Sequence, residues 1–134
     1  MILLDTSVLS AVLRRRKKGE DEKELTARVE ALLQGDQAIA LPGIVLQEIL
    51  SGVSDQAQRA KVLSSIRQSF TILLASEGDH LKAADLASAA ARKGIALSTP
   101  DALIAAQALN RRAALYTRDA DFAPLEALAG LHLV

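Results

Sequence analysis

The chain contains no cysteine and no tryptophan, and its aromatic side chains are confined to Phe70, Phe122 and Tyr116. Without cysteine there is neither a disulfide framework nor a thiolate metal site, which fits a reducing cytoplasm. With so few aromatics the core must be aliphatic, and nucleic-acid bases find almost no aromatic platform on which to stack. A charge excess is missing too. Sixteen Lys and Arg balance sixteen Asp and Glu, so net charge points to no partner and any basic surface has to be local. Long hydrophobic runs are also absent. The apolar residues at the N-terminus follow no basic segment and are too few for a signal peptide, and no stretch approaches a membrane span. A soluble, cytoplasmic protein without membrane association is expected.

What is present is enough for one domain. Of 134 residues, 50% are apolar and 24% charged, a globular composition that can bury one sizeable core. Residues 1–4 read as a strand, followed by a helix from Val8 to Lys17 with Thr6 or Ser7 as its cap. The run "RRRKKGEDEKE", Arg14 to Glu24, reads as a solvated connector. A phosphate-contacting arm is the less favoured alternative, because its acidic half would offset the basic one. A helix follows from about Glu22 to Gln34, then a strand over Ala38–Leu41. Pro42 falls where a first helical position belongs, and "GIVLQEILSG" continues as an apolar helix. Asp55 opens a helix to about Gln68, Phe70–Ala75 is a strand, and Glu77–Lys93 is a helix stopped by Gly94. Thr99-Pro100 starts a helix to about Arg112. "AALYT" is a strand, Asp121–Leu128 a short helix and "LHLV" a last strand. Short apolar strands alternating with helices predict an α/β fold, a central parallel sheet flanked by helices on both faces, in a single domain over residues 1–134.

In such a sheet, functional groups gather at the carboxyl ends of the strands. Asp5 ends the first strand, and Asp119 lies two residues beyond "ALYT". Glu48 falls on an apolar helical face with no Lys or Arg one turn away, and Asp101 stands just inside a helix start beside Ile104, Ala105 and Ala108. Taken singly, each acid has a structural explanation: Asp5 as a cap, Asp101 as a first-turn acid favoured by the helix dipole, Asp119 and Asp121 as turn residues. Taken together, they form an oxygen-only set suited to Mg²⁺ or Mn²⁺ and unsuited to zinc or copper. Sites of this kind serve phosphoryl chemistry, in which metal ions activate water and neutralise phosphate charge. Thr6, Ser7 and Thr117 lie within two residues of a proposed acid, fit either to hold a carboxylate or to cap a helix. His80 reads as helix surface and His132 as last-strand structure.

Four segments, "ILLDTSVL", "VLQEIL", "TPDALIAAQAL" and "YTRDADF", resemble in order and spacing the PIN-domain ribonucleases, specifically the VapC-type toxins of bacterial toxin–antitoxin pairs. The resemblance runs from end to end of the chain. It implies a PIN fold, a Mg²⁺- or Mn²⁺-dependent endoribonuclease, an antitoxin partner that blocks the site, and a homodimer. It maps the acidic set onto Asp5, Glu48, Asp101 and Asp119, with Asp121 as a possible substitute for Asp119 and with Thr6 or Thr117 in support. Arg118, Arg14 and Arg15 are candidate RNA phosphate contacts, with the rest of the basic run to Lys18. For Arg111 and Arg112 plain surface solvation is the favoured reading.

Other phosphoryl-handling α/β domains fit less well. A phospho-accepting receiver pairs acids after its first strand and carries a late lysine; Asp5 has no acidic neighbour, and Arg118 follows the late strand. A haloacid-dehalogenase-type phosphatase places two Asp one residue apart, where "DTS" has Ser7. The alternative of a different class is a non-catalytic PIN-fold protein-binding module, against which the presence of all four acids weighs.

Overall fold

A computed structural model describes residues 1–14 and 19–134. Among these residues, five strands form one sheet in the order β3-β2-β1-β4-β5, all parallel. The strands are β1 (Ile2–Leu4), β2 (Ile39–Pro42), β3 (Thr71–Leu73), β4 (Ala114–Tyr116) and β5 (His132–Leu133). The helices are α1 (Thr6–Leu13), α2 (Glu20–Gln34), α3 (Gly43–Ser51), α4 (Gln56–Ser69), α5 (Glu77–Arg92), α6 (Thr99–Asn110) and α7 (Pro124–Ala129). Every residue of β1 and β2 is buried. Successive strand residues point to opposite faces, so this burial means that both faces of the sheet are covered. The α/β architecture read from the sequence is the architecture observed.

The core is aliphatic, as the aromatic shortage required: Leu3, Leu4, Leu9, Leu41, Ile66, Ile104, Leu115 and Leu125 are all essentially fully buried. β1 lies at the centre of the sheet, with β2 on one side and β4 on the other. The chain therefore winds outward in opposite directions from β1, and the crevice of such a switch point opens at the carboxyl ends of the strands. Registers pair Leu3 with Leu115 and Leu4 with Tyr116, and the Asp5 N–H donates to the Tyr116 carbonyl at 3.1 Å. The first residues beyond β1 and β4 are thereby held side by side.

Several boundaries differ from the sequence reading, each for a local reason. Helix α1 is capped by Asp5, whose carboxylate accepts the Ser7 N–H, and not by Thr6 or Ser7, which are already helical. It ends at Leu13, with Arg14 extended at the C-cap; the expected continuation to Lys17 lies outside the described residues from position 15. Helix α2 starts at Glu20 instead of Glu22, with three acids in its first turn where the helix dipole favours them. Pro42 completes β2 and caps α3 with extended backbone, leaving Gly43 as the first helical residue. The expected helix over Asp121–Leu128 is split: a 3-10 turn, Ala120–Phe122, precedes α7, with Pro124 at the start of the latter. Gly94, at φ +73°, does end α5, a left-handed conformation that only glycine adopts at little cost.

Candidate active site

Asp5 is only 3% exposed, and both of its carboxylate oxygens are engaged. Oδ1 accepts the Ser7 backbone N–H and Oδ2 accepts the Thr117 hydroxyl. Thr117 is the first residue after β4, so the register of the sheet itself brings it to Asp5. Its Oγ1 also accepts the Asp119 N–H at 2.9 Å. Asp119 in turn accepts the Asp121 N–H on Oδ1 at 2.9 Å, which closes the 3-10 turn. The Ser7 hydroxyl accepts the Arg118 N–H at 3.0 Å, tying the same loop to the start of α1.

Asp101 reaches this loop from α6. Ser98 caps that helix, its Oγ accepting the Asp101 N–H at 3.2 Å. The carboxylates of Asp101, Asp119 and Asp121 offer oxygens that all lie within 4.8 Å of one another. Partial burial raises the Asp101 pKa above its ordinary value, and the negative charges of Asp119, Asp5 and Asp121 raise it further, against a lowering by the Ser98 hydrogen bond. Asp5 is thus near enough to repel Asp101, although it lies outside the tightest trio.

Glu48 stands apart. The sequence places it against apolar neighbours, yet its side chain is exposed, at the rim of a groove of about 410 Å³ also lined by Thr6 and Arg14. Val45 alone on α3 is fully buried, while Ile44, Leu46 and Ile49 pack against the core more loosely and Glu48 faces α1. There Thr6 donates its hydroxyl to Glu48 Oε1 at 2.9 Å. Adjacent residues Asp5 and Thr6 therefore link the buried acid to the exposed one.

The fit to a divalent cation follows from these donors. Three carboxylates within a few ångströms, supplying only oxygen and mutually repelling, match the requirements of a hard cation, whose charge would relieve the repulsion. Hydrogen bonds from Ser7, Thr117 and Thr6 orient the acids, as the outer partners of metal ligands do.

Among the arginines, Arg118 is exposed with no side-chain partner among the described residues. Arg14 pairs with Glu22 at 2.8 Å, and Arg15 lies outside the described residues. Arg111 is committed elsewhere: it binds Asp79 through two nitrogens, each at 2.8 Å. Arg112 is exposed with a left-handed backbone, φ 51°. His80 is exposed on α5 and His132 is exposed on β5, as expected. Sequence reasoning missed Ser98, although Ser98-x-x-Asp101 has the spacing of a helix-capping pair. It also missed the role of Ser7 as acceptor for Arg118.

A scan against protein families matches the PIN domain over residues 2–128. The chain belongs to the PIN-domain family. PIN domains are generally nucleases that use divalent metals, and this one carries an acidic cluster where its sheet topology opens a crevice. Solved structures similar to this PIN domain include VapBC2 from Rickettsia felis bound to a DNA fragment from its promoter, at 22% identity and TM-score 0.79, covering 100% of this chain and 98% of that one. FitAcB from Neisseria gonorrhoeae is 26% identical with TM-score 0.77, covering 99% and 96%. VapBC-5 from Mycobacterium tuberculosis, a member of the VapBC family of toxin–antitoxin systems, is 25% identical with TM-score 0.68, covering 98% and 95%. A search of curated proteins finds no match to this PIN domain. No helix among the described residues is long and apolar enough to cross a membrane.

Proposed function

We propose that this PIN domain is a Mg²⁺- or Mn²⁺-dependent endoribonuclease, the toxin of a toxin–antitoxin pair, acting on RNA in the cytoplasm. The observation that carries the reading is the meeting of Asp101, Asp119 and Asp121 within 4.8 Å, beside buried Asp5 at the switch point of a parallel sheet. Asp5, Asp101, Asp119 and Asp121 hold the cation, and Glu48 completes the acidic rim through Thr6. When bound, the ion supplies activation of water and neutralisation of phosphate charge.

The chain's own residues do the positioning. Thr117 fixes Asp5 and the Asp119 loop relative to each other, so the carboxylates need little reorganisation when the cation arrives. Thr6 keeps Glu48 turned toward the site. Arg118, next to Asp119 and without a partner among the described residues, contacts the substrate phosphate; Arg14 extends that path on the α1 side, and Arg15 is kept as a phosphate contact from its sequence position alone. The groove lined by Thr6, Arg14, Glu48 and Ile49 receives an antitoxin segment that obstructs the acids. A homodimer is included in this reading, with Leu74 and Leu81, 75% and 62% exposed, as apolar surface for a second copy.

The test is cleavage of structured RNAs by the purified protein with Mg²⁺, with EDTA, and as the Asp5→Asn variant. Asn caps helices as well as Asp does, so α1 is preserved. Cleavage is expected only in the first case. Activity that survives EDTA or Asp5→Asn overturns the metal-nuclease reading, and absence of cleavage in all arms favours the protein-binding module.

A further inference from the structure

At Thr117 a second cleft of about 280 Å³, which Asp5 does not line, opens between α2 and the end of β4. Its volume is close to the lower end for ligand pockets, ~300 Å³. One wall is α2, which presents Asp21, Glu24 and Arg28 at helical spacing on a single face; the other is Tyr116, Thr117 and Arg118. Thr117 belongs to both places, since its hydroxyl is bonded to Asp5. A chain seated on the carboxylates would have its neighbouring unit in this cleft.

The chemistry of the walls restricts that unit. Arg28 lies over the Tyr116 ring, 5.3 Å from its centre, within the range of a cation–π contact. Tyr116 is itself only 3% exposed, so its ring is not available to a ligand. The guanidinium of Arg28 is exposed and pre-positioned by that ring, and guanidinium planes stack on unpaired bases as aromatic rings do. This answers the shortage of aromatics in the sequence: the platform is an arginine supported from below by the one tyrosine. Asp21, Glu24, Arg28 and Arg118 form no ion pair among the described residues. Two guanidiniums and two carboxylates that form no ion pair among the described residues suit neither a simple anion nor a simple cation. They suit a ligand with an anionic end and a donor-bearing end, which describes a nucleotide. Ionised carboxylates only accept hydrogen bonds, so they favour the base whose edge offers most adjacent N–H groups, and guanine offers an imino and an amino group together.

We infer that this cleft is a nucleotide subsite. It takes an unpaired RNA nucleotide beside the scissile phosphate, guanine in preference, with Arg28 stacked on the base, Asp21 and Glu24 on its N–H edge and Arg118 on its phosphate. The inference rests on the ribonuclease reading of the adjoining carboxylates.

The experiment has two arms. In the first, a randomised single-stranded RNA pool is cleaved with Mg²⁺ and the fragment ends are sequenced. Guanine enrichment is expected at one position flanking the cut, and the Asp21→Asn/Glu24→Gln double variant should flatten it. Arg28→Ala should raise KM about tenfold on a guanine-containing oligonucleotide, with a smaller change in kcat. In the second arm, fluorescent pentanucleotides differing in one base are titrated into the Asp5→Asn protein; the guanine pentamer should bind tightest and lose its advantage in the Asp5→Asn/Arg28→Ala double variant. Absence of base preference in either arm, or a preference that these substitutions leave unchanged, overturns the subsite. Unchanged RNA binding with weakened neutralisation by the co-expressed partner protein also overturns it, and assigns the cleft to a protein contact. If the unsubstituted protein cleaves no RNA at all, the ribonuclease reading fails, and the binding arm alone then decides the subsite.

Discussion

Thr117 donates its hydroxyl to Oδ2 of Asp5 across two neighbouring parallel strands, and on the same oxygen accepts the backbone N–H of Asp119 at 2.9 Å. One side chain thus ties the acid that ends β1 to the loop that follows β4. Thr117→Val keeps the shape and removes both hydrogen bonds. Metal affinity or cleavage rate is expected to fall about 10–100-fold, as when other outer partners of metal ligands are lost. Thr117→Ser should restore most of it. Isothermal titration with Mn²⁺ and single-turnover cleavage measure the two effects; full activity in Thr117→Val would dismiss the bridge.

Asp119 and Asp121 both face Asp101, whereas sequence reasoning treated them as alternatives. Asp119→Asn and Asp121→Asn are each expected to weaken Mn²⁺ binding, and the double variant to weaken it further. Glu48→Gln should cost less than either, because Glu48 is exposed and reaches the site only through Thr6. Unfolding midpoints of all four variants should stay near that of the parent, since none of these side chains is part of the buried core. A Glu48→Gln loss exceeding that of Asp119→Asn would reassign the leading role to α3.

Asp101 has a raised pKa, first through burial and then through repulsion from Asp119, Asp5 and Asp121. A raised carboxyl contributes stability that is present below its unfolded pKa and is lost as pH rises through the folded value. The metal-free protein should therefore lose this contribution as pH rises above the ordinary carboxylate range. Asp101→Asn should raise the melting temperature of metal-free protein at pH 7 and abolish Mg²⁺ stabilisation there. In the parent, Mg²⁺ should stabilise more at pH 7 than at pH 5, where protons compete for the same oxygens. Thermal melts with and without EDTA at both pH values give the answer, and equal Mg²⁺ shifts at pH 5 and pH 7 would count against the carboxylate site.

Asp79 titrates in the opposite sense. Its hydrogen bonds to Arg111 hold its pKa well below the usual carboxylate range despite burial, with Ser76 and Asn110 assisting. A depressed carboxyl contributes stability above its unfolded pKa, about 3.9, and loses it as pH falls through the lower folded value. Asp79→Asn should cost about 2–3 kcal/mol, at or below the range for breaking a buried pair because Arg111 keeps some solvent access. Urea unfolding at pH 7 measures this, and Mn²⁺ affinity should be unaffected, since the pair joins α5 to the end of α6 away from the acids. An unchanged urea midpoint would mean that the neutral amide recovers the network through Ser76 and Asn110, and that the charge of the pair adds nothing.

Much of the protein is legible in its sequence because the relevant signals are local. An apolar run ending on Asp5, a Thr-Pro helix start ahead of Asp101, and the turn residues after "ALYT" each follow from propensity and spacing within a few positions. The aliphatic core and the parallel sheet follow from short strands with no polar face. Other features depended on which strands lie side by side. Only the order β3-β2-β1-β4-β5 brings Thr117 to Asp5, across 112 positions of chain. Only the packing of α6 against the β4 loop makes partners of Asp101, Asp119 and Asp121. The tertiary structure also moved Glu48 from an apolar face to an exposed rim, because a helical wheel does not show how much of a helix its neighbours leave uncovered. It turned Arg111 from a solvated residue into the partner of buried Asp79. Sequence by itself determined which acids and hydroxyls stand at the strand ends and helix starts, since side-chain type is a local property; their distances and electrostatic environment were decided by sheet register and helix packing, which no short segment encodes.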